Sequence, residues 1–241
     1  MSERRSTTRR GALGLIAAGS LAGSLTLRAQ PRREVDLNLA LAVDTSGSVN
    51  QFRYELQKRG YVDAFLNPEV LRAVRSGPRA AIGVTMYEWT GPSLHVPVVP
   101  WMFIDDQASV RDFAARIERS QRRLFGGGTS ISGAIDYGAH VLAQSPFDGG
   151  RMVIDVSGDG ANNRGRPAEI ARDDAIGRGI NINGLPILEL EPDLEEHYRS
   201  NVIGGPGAFV VPAKTFQDFG TAVLRKLILE IADARTGARR G

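Results

Sequence analysis

Residues 35–48 read VDLNLALAVDTSGS. The first nine, Val35–Val43, alternate at the start and then turn continuously apolar, the pattern of a strand buried on both faces. The run stops at Asp44-Thr45-Ser46-Gly47-Ser48, a composition that favours a turn. On so short a turn the alternate residues Asp44, Ser46 and Ser48 can aim their oxygens into one space. A buried strand that ends on convergent oxygens belongs to an open α/β sheet, where ligands bind beyond the carboxyl ends of the strands.

Reading outward from there, strands and helices alternate. Residues 50–67 carry Phe52, Leu56, Tyr61 and Phe65 on polar ground, an amphipathic helix that ends before Pro68. Ala80–Trp89 reads as a strand, Thr90-Gly91-Pro92 as a tight reversal, and Ser93–Ile104 as a second strand placed at a sheet edge by Pro97 and Pro100. Asp105 opens a helix through Val110, Phe113, Ala114 and Ile117. Gly126-Gly127-Gly128-Thr129-Ser130 is a loop leading into a helix that reaches about residue 144. Arg151–Ser157 is another buried strand, ending at Gly158-Asp159-Gly160. A helix at 167–178, a strand at 180–190, a short helix at 194–202 and a strand at 208–212 follow. Thr215 or Thr221 opens the last helix, which runs to about Ala234. The pattern predicts a three-layer, Rossmann-like, doubly wound, mostly parallel sheet with one antiparallel edge strand.

Three strand-end elements carry oxygen donors. Asp44, Ser46 and Ser48 supply one carboxylate and two hydroxyls. Thr129 adds a hydroxyl from a glycine-rich loop that permits close backbone approach, and Asp159 adds a second carboxylate. Two carboxylates and three hydroxyls are hard ligands with no nitrogen or sulfur, which suits Mg²⁺, Mn²⁺ or Ca²⁺ and argues against zinc or copper. Hydroxyls are neutral and weak, and a site with few direct carboxylates leaves the ion substantially positive, so it seeks a further anion. A partner's Asp or Glu is the natural candidate.

Around these five residues the readings are plainer. Asp155 lies four residues before Asp159 and either backs the site or pairs with a buried arginine. Glu88 and Trp89 end their strand on the same rim, where they could add to a binding surface or, in the case of Trp89, pack under the hairpin. Arg122-Arg123 precedes the glycine loop and could flank the site, but reads first as solvated surface. His95, His140 and His197 fall on different elements and suggest no catalyst.

Bulk composition narrows the function classes. The 241 residues are 42% hydrophobic, enough for one well-buried core. The formal charge is +3, but residues 1–29 hold five arginines and one glutamate, and without them the balance is −1. No large positive field remains to attract nucleic acid. There is no cysteine, which removes disulfides, thiolate metal sites and a cysteine nucleophile.

Residues 1–29 have the three parts of a secretory signal: basic MSERRSTTRR, apolar GALGLIAAGSLAGSLTL, and Ala29 as a small residue before a cut. Thr8-Arg9-Arg10-Gly11-Ala12-Leu13 resembles the twin-arginine export motif, with Ala12 where that motif prefers a bulky aromatic. Residues 30–34 read as a linker, 35–235 as one domain and 236–241 as a frayed tail. The expected location is the periplasm or outside the cell. No second hydrophobic stretch reaches membrane length, so no span is expected in the mature protein.

Asp44-Thr45-Ser46-Gly47-Ser48 after an apolar strand resembles the Asp-x-Ser-x-Ser element of von Willebrand factor type A domains. Thr129 after three glycines resembles that family's second-loop threonine, and Asp159-Gly160 its third-loop aspartate. The resemblance spans about residues 35–235. It implies that Asp44, Ser46, Ser48, Thr129 and Asp159 form a metal-ion-dependent adhesion site, with Mg²⁺ as the expected ion and capture of a protein carboxylate, not catalysis, as the activity. Gly60-Tyr61-Val62, Asp63–Val70 and Tyr87-Glu88-Trp89 further resemble a bacterial family of exported type A proteins with no assigned activity. One departure is Ser157-Gly158 before Asp159, where type A domains more often have a threonine.

An enzyme is the competing reading. In a haloacid dehalogenase-like phosphohydrolase Asp44 would be the nucleophile and Gly158-Asp159-Gly160 the later loop. Ser46 stands where that superfamily has its second acid, Asn162 and Asn163 stand where a further acid is expected, and the three lysines, Lys58, Lys214 and Lys226, offer no evident phosphoryl-stabilising group.

Overall fold

A computed structural model describes residues 32–237, with side chains described through residue 232. The signal reading of residues 1–29 and the last four residues of the tail lie outside the described residues.

The chain opens with β1 (Arg33–Val35) and β2 (Leu37–Asp44), followed by helices α1 (Gln51–Leu66) and α2 (Pro68–Arg75). The hairpin β3 (Ile82–Trp89) and β4 (His95–Ile104) leads into α3 (Gln107–Arg119) and α4 (Ile131–Ala143). Then come β5 (Phe147–Gly149), β6 (Met152–Gly158), α5 (Ala168–Ile176), β7 (Ile180–Pro186), a short α6 (Leu194–His197) continued by a wide turn at Tyr198–Val202, and α7 (Phe219–Gly237). The main sheet has the order β4-β3-β2-β6-β7. Only the β3–β4 pair is antiparallel. This is the three-layer α/β architecture that the sequence predicts.

β2 sits at the centre and is buried along its whole length. Leu37, Leu39, Leu41 and Val43 join a core with Tyr61 and Phe65 of α1, Phe113 of α3 and Phe219 and Leu227 of α7. Ala40 and Ala42 point the other way, into a second core with α4 and α5. A strand's alternation therefore assigns its leucines to one helical layer and its alanines to the other. Small residues on the second face let α4 approach closely.

On α1, Tyr54, Gln57, Gly60, Tyr61, Ala64 and Phe65 are buried, which is one face at helical spacing. The Asn50 side chain caps its first turn by accepting from the Arg53 amide. Gly60 is where α7 crosses. A β-carbon there would stand 2.7 Å from the Phe219 ring and 3.1 Å from the Gly220 backbone. Gly60→Ala should therefore destabilise the fold by about 1–3 kcal/mol by overpacking, despite alanine's better helix propensity. Urea unfolding checks this, and a variant as stable as the parent would show that α7 shifts freely.

Four differences from the sequence reading have local causes. Residues 33 and 34, read as linker, belong to β1, which pairs in parallel with β5 as a separate two-stranded sheet. Pro68 ends α1 but also opens α2, because proline at the first helical position loses only an amide that has no partner there. The expected strand at 208–212 makes only isolated bridges, Gly184 to Val210 and Ile187 to Ala213. Pro212 lacks the amide a continuous ladder needs. The last helix continues to Gly237, past the expected stop at Ala234.

Candidate metal centre

β2, β3, β6 and β7 run in parallel, so their carboxyl ends share one rim. β2 delivers Asp44 there and β6 ends at Gly158, beside Asp159. The Asp44-to-Ser48 turn is held by its own backbone: the Ser46 amide donates to Asp44 Oδ1 at 2.7 Å, and the Thr45 amide donates to the Trp89 carbonyl at 2.9 Å. Gln57 of α1, fully buried, donates to the Asp44 carbonyl at 3.2 Å.

The hydroxyls converge. Ser46 Oγ and Ser48 Oγ are 3.2 Å apart, and Ser48 Oγ donates to Asp159 Oδ1 at 2.6 Å. Thr129 Oγ1 lies 3.6 Å from the place a β-carbon on Gly160 would take, next to Asp159. The structure thus brings Asp44, Ser46, Ser48, Thr129 and Asp159, drawn from three separated loops, to one place. All are buried except Ser48, which is half-buried and follows the exposed Gly47.

Charge in this space is poorly compensated. Asp44 Oδ2 and Asp159 Oδ2 are buried and have no hydrogen-bond partner. Burial, followed by the negative charge of Asp159, pushes the Asp44 carboxyl up from 3.8 to about 7. Burial also raises Asp159, against the opposing effects of the Ser48 hydroxyl and Arg53. Two buried acids with outward-free oxygens, flanked by hydroxyls, form a donor set that fits a hard divalent cation. Among the described residues no three His, Asp or Glu side chains cluster as a metal site, so the hydroxyls are essential to that fit.

Several residues that position the site were not recognised from sequence. The third loop holds the second: Asn163 Oδ1 accepts from the Thr129 amide at 2.9 Å, and Asn162 Oδ1 accepts from the Ser132 amide at 3.1 Å. Thr90 Oγ1 reaches the carbonyls of Gly126 and Gly128 at 2.7 and 2.8 Å. Gly128 has φ +82°, a conformation costly for any residue with a β-carbon. Arg53 donates to the Ser48 carbonyl and pairs with Glu189 at 2.8 Å.

Arg122 departs from its reading as solvated surface. Its guanidinium donates to the Thr45 carbonyl at 2.9 Å and the Ser46 carbonyl at 3.3 Å, tying the glycine-loop segment to the Asp44 turn. No local pattern identifies this role, because the contact spans 77 residues of sequence.

The three supporting candidates are not rim groups. Trp89 is fully buried in the α4-side core and serves the site through its carbonyl. Glu88 is buried as well, accepting from the Tyr54 hydroxyl and the Arg123 amide, both at 3.0 Å. Asp155 pairs with a lysine, not an arginine: Lys226 Nζ of α7 lies 2.6 Å from Asp155 Oδ1 and 2.5 Å from Glu230 Oε1, with all three residues fully buried. Burial and the Asp155 charge push Glu230 up to about 7. The other lysines form no ion pair with Asp44 among the described residues. Lys58 pairs with Glu55, and Lys214 is exposed.

A family model described as "Protein of unknown function (DUF1194)" matches residues 34–235. No curated protein matches the chain. Solved structures show what the fold is similar to. One is proximal thread matrix protein 1 from the mussel byssus with a zinc-occupied MIDAS motif: TM-score 0.52, 15% identity, 85% of this chain and 49% of that chain covered. Another is the pilus adhesin SpaC from Lactobacillus rhamnosus GG: TM-score 0.59, 13% identity, 85% and 32% covered. A third is a von Willebrand factor type A protein from Catenulispora acidiphila: TM-score 0.53, 13% identity, 84% and 43% covered. The chain spans less than half the length of each.

Proposed function

The chain belongs to the DUF1194 family and folds as a von Willebrand factor type A-like domain, and from that premise we propose that it is an exported, metal-dependent protein-binding module. The observation that carries this reading is the pair of buried carboxylates, Asp44 and Asp159, each with an unpartnered oxygen beside the hydroxyls of Ser46, Ser48 and Thr129. These five residues would hold a divalent cation, Mg²⁺ first among the candidates. When bound, the ion supplies an electrophilic position for a partner's Asp or Glu carboxylate.

The chain's own residues do the rest. Ser46 and Ser48 supply neutral oxygens, so the site keeps net affinity for an anion. Arg122, Arg53, Asn162 and Asn163 hold the three loops in register. Gln57 and Thr45 fix the Asp44 turn to α1 and β3. The chemistry of a phosphohydrolase finds less support, since among the described residues no lysine reaches the Asp44 carboxylate. Adhesin-type neighbours favour binding over turnover.

Calorimetric titration of Mg²⁺, Mn²⁺, Ca²⁺ and Zn²⁺ into the protein tests the site. Zinc is included because one similar structure is described with zinc at its MIDAS motif. One-to-one uptake by the parent and none by Asp159→Ala is the expected result. Metal uptake retained in full by Asp159→Ala would remove the site. A capture experiment from periplasmic extract, with and without chelator, tests partner binding. Export is supported by the leader in the sequence, and among the described residues no helix is long and apolar enough to cross a membrane. Recovery of a shortened chain in the periplasmic fraction is the expected check.

A further inference from the structure

Large apolar side chains are exposed on the segments that adjoin the site loops. Phe125 is 70% exposed and Phe52 64% exposed, with Leu94 at 44% and Leu190 at 47%. Phe52 comes from the first turn of α1 and the other three from loops, and each is next, in sequence or in space, to a residue tied to a site loop. Phe52 is in the first turn of α1, next to Arg53, which donates to the Ser48 carbonyl. Phe125 lies against Arg122, its ring centroid 4.9 Å from the guanidinium that holds the Thr45 and Ser46 carbonyls. Leu94 Cδ1 stands 2.8 Å from where a β-carbon of Gly127 would be, two residues before Thr129. Leu190 is flanked by Glu189, which pairs with Arg53, and Glu191, which accepts from the Ala161 amide. The other exposed large apolar residues among those described, Leu66, Ile170 and Leu229, belong to helices α1, α5 and α7.

Exposed leucines occur singly on any surface, but two phenylalanines and two leucines around one polar centre form the pattern of an interface: apolar contacts that exclude water from a central charged pair. The same rim carries two exposed cations. Arg123 and Arg164 form no ion pair with a described residue, and Arg164 packs beside Gly128. Their charge complements an acidic partner.

We infer that Phe52, Leu94, Phe125 and Leu190 form a contact ring, and that the partner is a protein loop presenting one carboxylate between large apolar side chains. This rests on the metal-dependent reading above and names its partner by chemistry. The central acid meets the cation, its apolar neighbours cover the phenylalanines, and further acids meet Arg123 and Arg164.

The probes are three synthetic peptides on a Gly-Ser background. One has a central Asp flanked by Leu and Phe, one has the same Asp flanked by Ser and Thr, and one has Asn between Leu and Phe. Binding to the full chain is read by fluorescence anisotropy in excess Mg²⁺ and in chelator. The apolar-flanked Asp peptide should bind about tenfold or more tightly than the polar-flanked one. Chelator and the Asn peptide should both abolish binding. Phe52→Ser/Leu190→Ser should bind the two Asp peptides alike, with calorimetric Mg²⁺ affinity unchanged. Equal affinity of the parent for the two Asp peptides, capture of neither, or an undiminished preference in the double variant overturns the ring. Binding that survives chelator and Asn but falls in the double variant instead overturns the cation reading, and with it the carboxylate half of the proposal.

Discussion

Lys226→Met should destabilise the protein by about 3–5 kcal/mol near neutral pH, the cost of leaving buried charge without its partner. Lys226 is fully buried between Asp155 of β6 and Glu230 of α7, and Asn183 Nδ2 donates to the same Glu230 oxygen at 3.0 Å. The lysine is the cation that lets two acids share a dry space. Glu230 already sits at about 7, raised by burial and by Asp155. An acid whose folded value lies above its unfolded one binds more protons when folded, so its contribution to stability is present at low pH and is lost as pH rises from about 4.5 to about 7. Removing Lys226 takes away the cation that holds Glu230 down, so the variant's deficit should shrink at pH 5 and grow at pH 8. Urea unfolding at the two values measures it. Lys226→Met/Asp155→Asn/Glu230→Gln should recover most of the loss. A deficit equal at both pH values would mean that lost packing, not stranded charge, governs the site.

Asp44→Asn should stabilise the protein in chelator and abolish its response to Mg²⁺. Without metal, the Asp44 carboxyl at about 7 opposes folding as pH rises from about 4 through 7, because burial disfavours its charge and Asp159 repels it. A shift of that size corresponds to an order of 4 kcal/mol at pH 8. Asparagine keeps an oxygen for the Ser46 amide and removes the charge, so in chelator at pH 8 the variant should melt above the parent. In Mg²⁺ at about a hundred times its dissociation constant the parent should gain roughly 2.7 kcal/mol, and the variant almost nothing. Melting curves of both proteins in both buffers decide the matter. An equal magnesium shift in parent and variant would place any bound ion away from Asp44.

Both results turn on β6, whose middle and far end carry different chemistry. Asp155 and Asp159 are four residues apart, so the sequence offers them as two acids of one neighbourhood. Asp155 instead faces α7 and its lysine, while Asp159 lies past the strand end among the hydroxyls. Register along a strand separates a structural charge from a candidate ligand.

Read alone, the sequence determined the elements whose signal is local. Leu37–Val43 reads as a buried strand, because a short run that alternates, turns continuously apolar and stops at Asp-Thr-Ser-Gly-Ser suits a strand's length and turn chemistry, although Val35, read with it, pairs in β1. The polar turns that end β2 and β6, and the triple glycine before Thr129, likewise declare where the chain must leave the sheet. Tertiary structure decided what depends on partners far away in the chain. Arg122 reads as one more surface arginine until it meets the Thr45 carbonyl, and Lys226 as a helix-face lysine until α7 lies on β6 between Asp155 and Glu230. Pairing β1 with β5 joins residues more than a hundred positions apart, and β7's neighbour at 208–213 is reduced to bridges by its backbone chemistry. Periodicity reports which face a residue occupies. What stands opposite that face is fixed only when the layers close.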